Sequence, residues 1–317
     1  VPAGFAKTGR WYDYYRAKFS AAWGGDWAPG SATAVYLNDQ RATALWYHDH
    51  ALGLTRVNVY AGPVGFYLLR GGPHDLPAGQ LPVPAPGIDD PPDTQYYEIP
   101  LVIQDRSFDE DGSLFYPDNR AFFEALKTSN LKIPFIPEAS CMGPSDVAPI
   151  WNPEFFGNTM VVNGRTWPYL YVEQRRYRFR ILNGCNTRFL ILKLSRDSVP
   201  IWQIGADGGF LPSPVNLPQL LVAPGERADV VVGFTNVPIS TEIVLQNLAP
   251  DEPFGGGEAG RDFMSADPGT TGQVMQFRVM AAQSPDLSVP PQSLVLPAAA
   301  RLPDATFTRQ LSVNELE

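Results

Sequence analysis

Two histidines stand one residue apart in "ALWYHDHALGLTR" (Ala44 to Arg56), and the whole chain holds only three. His48 and His50 are therefore the first place to look for chemistry. The run "ATALWYH" leading into them has an extended character, and on a strand residues i and i+2 face the same side. Trp46, His48 and His50 would share one face, with Tyr47 and Asp49 on the other. The two His Cα atoms would lie roughly 6.5–7 Å apart, so both rings could reach one metal or each could serve a different ion of a cluster. Imidazole suits copper, zinc, iron and nickel.

A single histidine is more often a satisfied core residue. A His-X-His pair flanked by aromatics in a His-poor chain favours metal ligation. Zinc sites take three or four protein ligands, so two imidazoles imply further donors elsewhere. Asp49, facing away from the rings, is expected to make an orienting hydrogen bond and not to coordinate. His74 opens a Pro-rich segment and reads as an exposed loop residue. A mononuclear zinc or copper site completed by a carboxylate is a further reading, but no carboxylate has a spacing that supports it. Cys141 sits in a Pro/Gly-rich loop and Cys185 in "ILNGCNTRF". A disulfide between them would imply an oxidising compartment, while two buried thiols is the simpler reading. Neither has a histidine nearby to make a nucleophile of it.

The elements that must position the histidines are mostly strands. Short β-branched and aromatic runs, "YYEIPLVIQD", "TMVVNGR", "RYRFRILN", "FLILKLS", "QLLVAP" and "ADVVVGF", are bounded by turn residues among 32 prolines and 28 glycines. Such a pattern reads as an all-β sandwich. "RYRFRILN" alternates Tyr177, Phe179 and Ile181 on one face with Arg176, Arg178 and Arg180 on the other. The best helical signal is "PDNRAFFEALK", with Asp118 as N-cap and Phe122, Ala125 and Leu126 on one side.

At 317 residues more than one domain is expected. Residues 73–94 carry seven prolines and read as a linker, and residues 281–305 have a similar character. About seventy residues before 73, with some three strands, are few for a closed sandwich. Residues 306–317 alternate like an opening strand that then stops. Both ends therefore read as cut.

Composition excludes some partners. The net charge is −9 with no polybasic run, which argues against a nucleic-acid groove. No apolar run approaches the ~20 residues that cross a bilayer. The opening "VPAGFAKTGR" lacks the basic-then-apolar pattern of a secretory signal, which leaves localisation undecided.

Four ordered blocks carry a resemblance. "LWYHDHALGLTRVNVYAGPVGFYLLRG", "YEIPLVIQDRSFDEDGSLFYP", "FGNTMVVNGRTWPYLYVEQRRYRFRILNGCNTRFLILKL" and "IWQIGADGGFLPSPVNLPQLLVAPGERADVVVGF" resemble multicopper oxidases, especially the bacterial spore-coat laccase and bilirubin oxidase group. The likeness covers most of residues 36–280. It implies three cupredoxin-like Greek-key β-sandwiches, a type 1 copper that takes electrons from a donor, and a trinuclear cluster that reduces dioxygen to water. His48 and His50 match the segment whose histidines bind the type 3 copper pair, one ring to each ion.

The remaining ligand segments of that family, including the one with the type 1 cysteine, have no match here. The resemblance thus implies a central fragment: 1–72 the end of a first cupredoxin-like domain, 73–94 a linker, 95–280 a second and copper-free domain, 281–305 a linker, and 306–317 the start of a third. The implied enzyme is a copper-dependent oxidoreductase with dioxygen and a phenolic or similar electron donor as partners, exported or spore-coat by resemblance. The fragment alone would be inactive and would need the missing parts of its parent chain. The competing reading is a non-catalytic cupredoxin-like binding or assembly module.

Overall fold

Each of the β-branched and aromatic runs becomes a strand in the computed structural model, which describes residues 9, 11–28, 30–51, 53–117, 154–298 and 303–312. The chain divides into two compact units, residues 1–40 and 41–317. In the first, α1 (Tyr12–Trp23) ends at Gly24, whose left-handed φ of 69° lets its N–H bond the Ser20 carbonyl. Tyr12 and Phe19 pack on Trp27, and Arg16 holds Asp26. No residue of α1 is buried, so it lacks the apolar stripe by which a helix is read from sequence.

The second unit begins with β1 (Thr43–His48), α2 (Thr55–Ala61) and β2 (Val64–Leu69). β3 (Glu98–Arg106), β4 (Thr159–Val162), β5 (Arg165–Thr166), β6 (Tyr169–Glu173) and β7 (Arg176–Asn183) follow. Next come β8 (Leu190–Leu194), β9 (Ile201–Ala206), β10 (Gly209–Leu217), β11 (Leu220–Val222), β12 (Arg227–Gly233), β13 (Glu242–Asn247) and β14 (Gln273–Met280). A seven-stranded sheet in the order β10-β9-β12-β7-β3-β4-β5 faces a five-stranded sheet in the order β11-β8-β13-β14-β6. The pairs β3–β7 and β6–β14 are parallel and the rest antiparallel. Parallel neighbours need crossovers, and here these run between the two sheets. The core between them includes Phe179, Leu192, Val230, Phe234, Leu245 and Phe277.

The outer face of the seven-stranded sheet is covered as well. Arg178 and Arg180, on the polar side of "RYRFRILN", are buried against Glu98 and Asp229. Register explains the set: Glu98 lies beside Arg178 across β3–β7, and Asp229 beside Arg180 across β12–β7. Next to this charged layer, Ile204, Phe210 and Val231 form a second core with Ala42, Leu81, Leu294 and Leu296. The two Pro-rich segments are therefore packed: Val289 N–H donates to the Gln80 carbonyl, and each segment supplies core residues.

Several expectations meet corrections. Residues 1–72 contain two strands among the described residues, where some three were expected, and two helices that were not read. Residues 303–312 form no strand. The helix expected at "PDNRAFFEALK" lies almost wholly outside the described residues. Among those residues, no helix is long and apolar enough to cross a membrane.

Candidate metal centre

β1 and β2 pair antiparallel with Trp46 opposite Phe66, Tyr47 opposite Gly65 and His48 opposite Val64. The Tyr47 ring lies across β2, where a Cβ on residue 65 would sit 2.6 Å from its hydroxyl oxygen, so any larger residue there would displace the ring. β1 stops at His48, two residues short of the expected run through His50. Asp49 ends it: one carboxylate oxygen accepts from Ala51 N–H (2.9 Å), an Asx turn, and from the Asn58 amide (3.0 Å). Those donors, Asn58 first, hold the Asp49 carboxyl below its ordinary pKa. The Asp49 carboxylate thus ties the turn to α2, where an orienting bond to an imidazole was expected of it. The Ala51 carbonyl then accepts from Leu54 N–H, Thr55 N–H and the Thr55 hydroxyl, which starts α2.

The rings still meet. Trp46 stacks on His48 at 4.4 Å between centroids and 30° between planes, and the His48 and His50 rings lie 5.7 Å apart at 31°. His48 is half-buried and His50 exposed. His48 Nδ1 lies 2.6 Å from the Asp49 carbonyl oxygen. A carbonyl can only accept, so Nδ1 carries a proton, and in the neutral ring Nε2 then holds the lone pair. A neutral imidazole with one nitrogen held and the other free is the form that ligates copper or zinc. The donor chemistry thus fits a copper ion. Among the described residues no group of three or more His, Cys, Asp or Glu could hold a metal, so the pair stands without further protein donors there. His74 is exposed in the turn at residues 73–74, as expected.

Residues that the sequence reading passed over fasten this segment to the sandwich. Arg227 Nε donates to the Ala44 carbonyl (3.0 Å), and the Thr43 hydroxyl donates to the Asp207 carbonyl (2.9 Å). Gly225, at φ +81°, leaves room for Trp46: a Cβ there would lie 3.3 Å from Trp46 Cζ2. The turns "ADGG" and "APGER", which read as plain turn-then-strand signals, are thus the docking points of β1. On the far side of the motif, the buried Tyr60 of α2 donates its hydroxyl to the Phe115 carbonyl (2.6 Å) and accepts from Ser107 N–H (3.0 Å). Cys185 is a buried free thiol whose pKa burial pushes well up, and Cys141 lies outside the described residues.

Two facing sheets with a parallel strand at each crossover, carrying a His-X-His pair beside them, define a cupredoxin-like protein with a candidate copper segment. Comparisons with known proteins agree. No protein-family model matches the sequence. The chain is 43% identical over 244 residues to a laccase of Bacillus stratosphericus, covering 77% of this chain and 39% of the relative. It is 34% identical over 287 residues to a multicopper oxidase of Arabidopsis thaliana, covering 89% and 41%. The McoA multicopper oxidase structure from Aquifex aeolicus superposes with a TM-score of 0.54 at 30% identity, over 82% of this chain and 46% of that one. The chain is a homologue of the laccases and multicopper oxidases, and it spans about two-fifths of the length of the curated relatives it matches.

Proposed function

We propose that the protein carrying this chain is a copper-dependent oxidase that takes single electrons from phenolic or similar donors and reduces dioxygen to water. His48 and His50 ligate its type 3 copper pair, one ring to each ion. Residues 95–280 form the copper-free sandwich that positions them, and residues 306–317 lead into a further cupredoxin-like domain. When bound, the copper supplies one-electron acceptor chemistry and oxygen reduction. The chain's own residues prepare the ligands. The Asp49 carbonyl holds the His48 Nδ1 proton and leaves Nε2 to donate, Trp46 covers one face of that ring, and His50 stands beside it.

The observation that carries this reading is the His48–His50 ring pair with Nδ1 of His48 already engaged, in a chain whose relatives are laccases and multicopper oxidases. Copper titration of the purified chain, followed by equilibrium dialysis and Cu(II) spectroscopy, tests it. Copper should bind in wild type and be lost in His48→Ala and His50→Ala, whereas His74→Ala should retain it. Equal retention in all three variants would refute the assignment. Two imidazoles alone should support no sustained turnover of a laccase dye, so sustained turnover by the isolated chain would contradict the need for donors beyond it.

A further inference from the structure

The histidine pair straddles the end of a strand: His48 is the last paired residue of β1, opposite Val64, and His50 lies beyond it. Backbone pairing fixes the His48 main chain there, but the orientation of its ring needs a further partner. The side chain of Asp49 is tied at two points, and one of them is a side chain from a different element: Asn58 Nδ2 in α2, at 3.0 Å. The other, Ala51 N–H, is local to the turn. α2 is in turn pinned by Tyr60, whose buried hydroxyl bridges the Ser107 N–H and the Phe115 carbonyl just beyond the end of β3. The Tyr60 ring also packs on Phe155 at 5.1 Å, and Arg106 lies 4.6 Å over it.

We infer that Asn58 is a positioning residue for the metal ligand His48, acting through Asp49. By holding the Asp49 carboxylate it fixes the peptide whose carbonyl accepts the His48 Nδ1 proton, and so presents Nε2 as the donor. The path runs from the sandwich through Tyr60 and α2 to Asn58, Asp49 and the imidazole. Without Asn58, Asp49 keeps only the Ala51 N–H, and its peptide can rotate away from Nδ1. The role is geometric: it needs an acceptor at position 49 and a donor at position 58, and no charge. This inference rests on the copper assignment above for its functional meaning, but its first readout needs no copper.

The chain has three histidines, so long-range 15N–1H correlation of the imidazoles, at about pH 8 where they are ordinarily neutral, resolves three ring systems. His48, assigned by its absence in His48→Ala, should be a single Nδ1–H tautomer in wild type. Asn58→Ala, and the isosteric Asn58→Asp that sets a carboxylate against Asp49, should both convert it to a tautomer mixture. Asp49→Asn, which keeps an acceptor oxygen, should retain the single tautomer. Cu(II) affinity should fall roughly ten- to a hundredfold in the two Asn58 variants, the usual effect of losing a partner behind a ligand, and stay near wild type in Asp49→Asn. An unchanged His48 tautomer in the folded Asn58 variants would overturn the inference. So would a loss in Asp49→Asn as large as in Asn58→Ala, since that would make charge the agent. If wild type shows the single tautomer and Asn58→Ala loses it, yet copper never binds, the positioning stands and the copper assignment fails.

Discussion

Substituting Asp229 by Asn tests whether the charged layer on the outer face of the seven-stranded sheet is as desolvated as its packing implies. Asp229 accepts from Arg178 Nε (2.9 Å) and Nη2 (2.6 Å) and lies 3.0 Å from Arg180 Nη1. Glu98 is the other anion, 3.0 Å from Arg178, 3.3 Å from Arg180 and 2.7 Å from Arg70. The side chains of Arg178, Arg180, Glu98 and Asp229 are each exposed by 5% or less. Asn keeps the shape but leaves three guanidinium groups to one carboxylate. Removing one member of a buried ionic set costs about 3–5 kcal/mol, because the remaining charges stay buried and uncompensated. Against a typical total of about 5–15 kcal/mol, that is a large share of the fold's margin. Urea unfolding followed by tryptophan fluorescence gives the change from the shift in midpoint at constant slope. The control is Arg261→Ala, which breaks an exposed pair with Glu258 (66% and 70% exposed) and should cost under about 1 kcal/mol. Equal small losses in both variants would refute the burial argument.

Two further outcomes follow from the same geometry. Burial pushes the Asp229 carboxyl up, but Arg178 and Arg180 outweigh it and hold its pKa below the ordinary value, and Glu98 is held down likewise by Arg178, Arg180 and Arg70. Carboxyls depressed on folding stabilise the fold above their unfolded pKa, and that stability is lost as pH falls through the folded values. Stability should therefore decline from roughly pH 4 downward, and the decline should be shallower in Glu98→Gln/Asp229→Asn, as urea midpoints across that range will show. Gly225→Ala should cost roughly 1–2 kcal/mol for the left-handed backbone alone. Its Cβ, 3.3 Å from Trp46, should also disturb the Trp46–His48 stack. A His48 ring signal identical to wild type in that variant would show that the stack does not depend on the turn.

Strand positions were legible because alternation is a local signal. The run "RYRFRILN" places Tyr177, Phe179 and Ile181 in the core by period alone. What lies against the arginine side was not legible, since Glu98 is 80 residues and Asp229 51 residues from Arg178 along the chain. The packing of the Pro-rich segments was hidden for a related reason. Proline excludes them from sheets, but it does not stop Leu81, Leu294 and Leu296 from closing a second core over the outer face. In α2, "TRVNVYA", Val57 and Val59 alternate as in a strand. The Ala51 carbonyl and the anchored Tyr60 override that weak preference.

The histidine pair itself was legible, but the reason its rings meet was not the one that strand alternation suggests. Asp49 is a turn former, and its side chain closes on Ala51 N–H two residues on. That signal sits inside the motif and argues for an end to the strand at His48. Side-by-side rings then arise from the turn, with His50 leaving the sheet and the Asp49 peptide presenting its carbonyl to His48. A turn fixes less than a strand does, which is why the supports matter: Arg227 and Asp207 reach β1 across 183 and 164 residues of chain, and Gly225 makes space for the indole behind the ring. The two-histidine pattern names the donors. The presentation of their lone pairs comes from residues of the sandwich and of α2 that no local reading would select.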